Sequence, residues 1–193
     1  IFGKWHLGDA EKFMPTNHGF DEFYGILFSN DMWPFHPERP QDYPNDFMIY
    51  RNDKPVQALI DQSDLTKNIT DESIRFIEEN KNNQFFLYIA HPQPHVPLFA
   101  SKEFQGSTGE GLFADVISEI DFSFGRVIEA LEKNNLSENT IVVFTSDNGP
   151  WLSYGDHAGS SGIFREGKGT AWEGGQRVPC IIKYPKEIMP KTI

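Results

Sequence analysis

The chain has 193 residues, a formal net charge of −11 and 14% aromatic residues. That length allows one domain with a sizeable core, and the aromatic content sets the chain apart from disordered sequences. The acidic balance argues against non-specific binding to nucleic acid or to an anionic membrane surface.

Cys180 is the only cysteine, which excludes an intrachain disulfide, and no apolar run is long enough to cross a bilayer. The opening Ile-Phe-Gly-Lys and the closing Pro-Lys-Thr-Ile are both abrupt, so the chain reads as an internal piece of a longer protein. Taken in chain order, Ile1-Phe-Gly-Lys-Trp-His-Leu-Gly8 sets Lys4 and His6 between two glycines that allow close backbone approach to a ligand. An ammonium and an imidazole can both donate to an oxyanion; the plain alternative is a surface strand. Residues 9–62 are rich in Pro, Asn, Asp and aromatics with little periodicity. They read as long irregular loops with short elements, containing Ser29 and the aromatics Trp33, Phe35 and Tyr43.

A helix is expected from about Thr66, with Thr70 as a candidate N-cap and Ile69 and Ile74 as a hydrophobic staple. Gln84-Phe-Phe-Leu-Tyr-Ile-Ala90 is a continuous apolar run, as in a strand buried on both faces. It ends in a proline-broken loop carrying His91 and His95. Residues 111–133 repeat apolar side chains at helical spacing from Leu112 to Leu131. Thr140–Thr145 is a β-branched run expected to form another buried strand. It leads into Ser146-Asp-Asn-Gly149, a carboxylate and an amide carbonyl of the kind that hard divalent cations bind, or simply a turn. Residues 149–176 are glycine-rich and hold His157 and Gly167-Lys168-Gly169, and 178–184 reads as a third strand with Cys180 as a small core residue. A phosphate-binding P-loop is excluded at Lys168, because Gly169 stands where Ser or Thr is required.

Helices alternating with strands predict an α/β fold, a largely parallel central sheet sandwiched by helices, with ligands bound beyond the carboxyl ends of the strands. His91, His95, Asp147 and Asn148 all fall at such ends.

Four segments together resemble the active-site set of the type I sulfatases of the alkaline-phosphatase-like superfamily: Gly3-Lys-Trp-His-Leu-Gly8, the His91–His95 loop, Ser146-Asp-Asn-Gly149 and Gly167-Lys-Gly-Thr-Ala-Trp-Glu-Gly-Gly175. The resemblance covers the chain from Gly3 to Pro185 and implies that residues 1–193 are the central part of a sulfatase catalytic domain. It implies hydrolysis of an aryl or carbohydrate sulfate ester by a formylglycine nucleophile supplied upstream, with Ca²⁺ held partly by Asp147 and Asn148. Lys4 would contact the nucleophile and the sulfate, and His6 would assist breakdown of the sulfated intermediate. His95 would help protonate the leaving group, while Lys168 would bridge sulfate and leaving oxygen. Ser29 and His157 are the expected substrate-side residues; His18 and His36 are expected to be structural. A secreted, periplasmic or lysosomal location follows from the same resemblance. Two rivals remain open: a phosphonate monoester or phosphodiester hydrolase of the same superfamily, and a non-catalytic homologue that binds sulfated glycans. The formylglycine motif needs Cys or Ser followed by x-Pro-x-Arg, which Cys180-Ile-Ile-Lys-Tyr is not.

Overall fold

The computed structural model describes residues 1–43 and 45–191. The chain divides into two compact units, Ile1–Val127 and Ile128–Ile193.

The first unit is built on a five-stranded sheet in the order β4-β3-β2-β1-β5. Its strands are β1 (Phe2–Lys4), β2 (Tyr24–Ile26), β3 (Met48–Arg51), β4 (Lys54–Ala58) and β5 (Ile89–Ala90). β1 pairs in parallel with both β2 and β5, while β3 and β4 extend the sheet antiparallel. Three strands therefore form inside the segment that reads as loop from sequence. They are three to five residues long, too short for period-two alternation to register. The β3–β4 turn carries its own signal: Asn52 takes φ 55, and its Oδ1 accepts the Phe23 N–H at 3.0 Å.

Alternation along β1 and β2 divides the apolar side chains between two faces. Phe2, Tyr24 and Ile26 pack with Trp33, Ile49, Leu65 and Ile69 in one cluster; Ile1, Met14, Phe23 and Leu27 form another. The first cluster is closed by α1 (Leu65–Glu79). Asp64, not Thr70, precedes the first turn. Thr70 lies inside the helix, where its Oγ1 donates to Thr66 O at 2.7 Å, and Ile69 is core rather than staple. Trp33 is buried with its Nε1 donating to Leu59 O, so it is a core side chain.

The run 84–90 is a strand only at Ile89–Ala90, although Phe2 N still donates to Tyr88 O at 2.9 Å. β1 offers three residues for pairing, and Phe86 and Tyr88 are exposed. The long periodic segment forms α2 (Leu112–Lys133), as its spacing predicts, and the division between the units falls within it. Its buried side includes Asp115 and Glu119, and both carboxylates brace a loop. Asp115 accepts from Gly106 N, Thr108 N and Thr108 Oγ1, and these bonds hold it below the usual carboxylate range.

In the second unit β6 (Val142–Thr145) and β7 (Cys180–Lys183) form a two-stranded antiparallel sheet. Ile141, Val143, Ile181 and Ile182 are exposed and Cys180, opposite Thr145, is exposed too, so these are not the buried strands expected. β-branched residues report strand propensity, which a ribbon satisfies without burial. The glycine-rich stretch between them holds a 3-10 segment, Leu152–His157, and α3 (Glu173–Gln176). Among the described residues no helix is long and apolar enough to cross a membrane.

Candidate active site

The parallel strands β1, β2 and β5 end at one edge of their sheet, and residues expected to do chemistry follow each end. Lys4 closes β1 opposite Ile26 and is half-buried. His6 lies just beyond, exposed, at φ 56, with its backbone N–H donating to Leu27 O. A Cβ at Gly3 would sit 2.0 Å from Ala90 O, so glycine is what lets β5 approach the strand that carries Lys4.

Ser29 follows β2. It is buried, and its Oγ lacks a hydrogen-bond partner. His95 follows β5 and is half-buried, with Nδ1 2.7 Å from Val96 O. A carbonyl only accepts, so in the neutral ring Nδ1 carries the proton and Nε2 is the basic nitrogen.

Residues not singled out from sequence hold this edge together. Asn30 is fully buried, and its Nδ2 donates to His95 O at 3.1 Å and Pro97 O at 3.3 Å. Gln62, also buried, donates from Nε2 to Asn30 O at 2.9 Å. Gln93 donates to Pro97 O and accepts from Phe99 N.

His91 belongs to a different arrangement. Its Nε2 is 3.1 Å from Ser123 Oγ, which is 2.6 Å from Thr70 Oγ1. Thr70 donates onward to Thr66 O, so Ser123 must donate to Thr70 and His91 Nε2–H to Ser123. The other nitrogen, Nδ1, is buried without a partner, and burial pushes the imidazole down to about 4. His91 is thus a half-buried neutral histidine, held by its Nε2–H bond to Ser123 with Nδ1 turned inward. His36 is structural as expected, buried with Nδ1 accepting from the Glu38 and Arg39 N–H groups. His18 is exposed and rests against the Trp5 ring.

The second unit carries the other half of the expected set. Asp147 and Asn148 follow β6; Asp147 is exposed and Asn148 half-buried. Asn148 Nδ2 donates to Gly149 O at 2.8 Å, which fixes the amide and turns Oδ1 the other way. The Lys168 loop lies against this segment: Lys168 N donates to Pro150 O at 2.8 Å, and Gly149 N to Gly175 O at 3.1 Å. Glycine makes that approach feasible. A Cβ at Gly149 would stand 1.8 Å from Gly174 O, one at Gly167 2.3 Å from Pro150 O, and one at Gly174 1.9 Å from Glu166 O. Lys168 Nζ sits 4.9 Å over the Trp151 ring. His157 ends the 3-10 segment and is exposed.

Two groups therefore emerge. Lys4, His6, Ser29 and His95 gather at the strand ends of the first unit, and Asp147, Asn148 and Lys168 gather in the second. Among the described residues no three His, Cys, Asp or Glu side chains are arranged to hold a metal ion. Asp147 and Asn148 are an all-oxygen pair, a donor set that fits part of the shell of a hard cation.

Comparison with known proteins bears on the family. The family model described as Sulfatase matches residues 1–193. An arylsulfatase from Hemicentrotus pulcherrimus is 37% identical over 98% of this chain and 36% of its own length. The N-acetylgalactosamine-6-sulfatase of Mus musculus is 38% identical over 97% of this chain and 38% of its own length. The chain thus spans little more than a third of these relatives. Among solved structures, PsFucS1 sulfatase from Pseudoalteromonas sp. superposes with a TM-score of 0.83 at 26% identity, covering 95% of this chain and 41% of that one. Ps i-CgsB in complex with k-i-k-neocarrahexaose gives 0.76 at 32% identity, covering 96% and 44%. With the model matched from end to end, and with the parallel strand ends carrying the expected residues, the chain belongs to the sulfatase family.

Proposed function

We propose that these residues are the central part of a sulfuric ester hydrolase acting on sulfate monoesters. The full-length protein would act outside the cytoplasm, its nucleophile being a formylglycine supplied by the preceding segment. Asp147 and Asn148 would hold Ca²⁺ together with ligands from outside this chain; when bound, the cation offsets the negative charge of the sulfate group. The chain's own side chains do the rest. Lys4 donates to sulfate oxygens, and His6 serves the later release of sulfate. His95, as the imidazolium with Nδ1–H kept on Val96 O, presents Nε2–H to the ester oxygen and passes that proton to the departing alcohol, leaving the neutral ring. Lys168 would supply positive charge to a sulfate ester as its S–O bond breaks. The task is electrostatic: cations set at the positions where a group gains charge, in a chain whose net charge is −11.

The observation that supports this reading most is the shared strand-end edge, where Lys4 closes β1, Ser29 follows β2 and His95 follows β5. A carbohydrate sulfate is the favoured substrate class, since relatives include an N-acetylgalactosamine-6-sulfatase and a structure in complex with a neocarrahexaose.

The full-length protein is expected to turn over an aryl sulfate faster than the matching phosphate ester, and Lys168→Ala to lower kcat/KM by about 10²–10³-fold. The 193 residues alone are expected to show no turnover above their own Lys168→Ala control. Preference for the phosphate ester, or an active Lys168→Ala enzyme, would overturn the reading.

A further inference from the structure

The loop from Ala90 to Phe99 contains Pro92, Pro94 and Pro97. Proline has no N–H, so such a loop has few donors with which to satisfy its own carbonyls. The structure shows where the donors come from. The Asn30 carboxamide reaches 65 and 67 residues along the chain to His95 O and Pro97 O, and Gln62 fixes Asn30 in turn through Asn30 O. Asn30 is 0% and Gln62 1% exposed, so neither has water as an alternative partner. Ser29, next to Asn30, is buried with Oγ unpartnered.

We propose that Asn30 and Gln62 form a positioning pair that sets the place and ring orientation of His95, and so the efficiency with which the leaving alcohol is protonated. The inference rests on the sulfatase reading given above. Its physical basis is that Asn30 bonds to the backbone of the residue that must hand over the proton. His95 Nδ1 is already committed to Val96 O, so the ring has little freedom to correct a displaced backbone. Near-ångström misplacement of a catalytic group costs on the order of 10²-fold in rate.

The test is leaving-group dependence in the full-length enzyme. Asn30→Asp is nearly isosteric but turns a donor into an acceptor facing two carbonyls. With phenyl sulfate, whose phenolate leaves poorly, kcat is expected to fall about 10²-fold with KM within roughly threefold. With nitrophenyl sulfate, which needs little protonation, the fall is expected to stay below about tenfold. Adding Asn30→Asp to His95→Ala should cost nothing further, because both act on one step. Equal losses on both esters, or additivity with His95→Ala, would show a merely structural role and sink the proposal.

If Asn30→Asp does not fold, Gln62→Glu removes one donor one step further out and is read in the same way, with a smaller expected effect. Should the wild-type enzyme hydrolyse no sulfate ester, the functional reading fails by itself. The positioning pair is then judged by amide exchange at His95 and Phe99, expected to be at least about tenfold faster in Asn30→Asp than in wild type. Unchanged exchange would overturn it.

Discussion

The His95 loop and the Lys168 loop hold an expected active-site cation in opposite ways. The first is proline-rich and short of donors, so the buried Asn30 carboxamide reaches in and the loop's own Gln93 folds back to satisfy its carbonyls. The second has glycine at its points of closest approach, so backbone meets backbone directly, as between Lys168 N and Pro150 O or Gly174 N and Arg165 O. One loop is therefore sensitive to the loss of a donor and tolerant of local volume. The other is sensitive to a single methyl group.

The largest effect expected from this contrast is on the glycine side. Gly149→Ala places a Cβ 1.8 Å from Gly174 O, where the atoms it meets are backbone of Gly174 and Gly175. Destabilisation of about 3 kcal/mol is expected, at the upper end for overpacking. Gly169→Ala is the control. Nothing lies within 4 Å of its added Cβ, and only its φ of +86 opposes the change, at about 1 kcal/mol. Denaturant unfolding of both variants measures the difference. Equal losses would mean that left-handed backbone, not close approach, accounts for the glycines of this loop.

On the proline side the strongest handle is His91, the first residue after β5. Its folded-state pKa is about 4 against 6.5 for a free imidazole, because burial disfavours the charged ring. Between those values the unfolded chain binds more protons than the folded one, so stability falls as pH drops from about 6.5 towards 4. At about 1.36 kcal/mol per pH unit, the contribution lost across that window approaches about 3 kcal/mol. His91→Gln cannot titrate, and its unfolding free energy should lose correspondingly less between pH 7 and pH 4.5. Parallel pH profiles for the two proteins would show that the ring is charged or solvated in the fold.

Much of this contrast was legible in the sequence, but unevenly. Lys4, His95 and Lys168 stand out because glycine or proline brackets them, and α2 because its apolar residues recur over 22 positions. Strands β2 to β4 did not stand out, being too short for a pattern to repeat. Asn30 was invisible for a different reason. An asparagine in an aromatic loop reads as a turn residue, and nothing local marks one whose partners lie 65 and 67 residues away. The apolar runs at 140–145 and 178–184 misled in the other direction: they carry strand propensity, and no residue of β6 or β7 is buried.

The smallest effect expected tests whether the bracing beyond the proline loop works through charge or through hydrogen bonding alone. Glu119, buried on α2, accepts the Ser101 N–H at 2.8 Å. Burial pushes its carboxyl up from the usual range, more than that bond pulls it down. The folded state therefore binds more protons than the unfolded one in the window between the two values, and the group's contribution declines as pH rises through it. At neutral pH the ionised form is held at a disadvantage. Glu119→Gln keeps an acceptor for Ser101 N and removes the charge. It is expected to be as stable as wild type, or more so by under about 1 kcal/mol, at pH 7, with the advantage shrinking as the pH falls and the wild-type carboxyl takes up its proton. A Gln variant that is less stable at pH 7 would mean that the ionised carboxylate strengthens the Ser101 bond by more than burial weakens it.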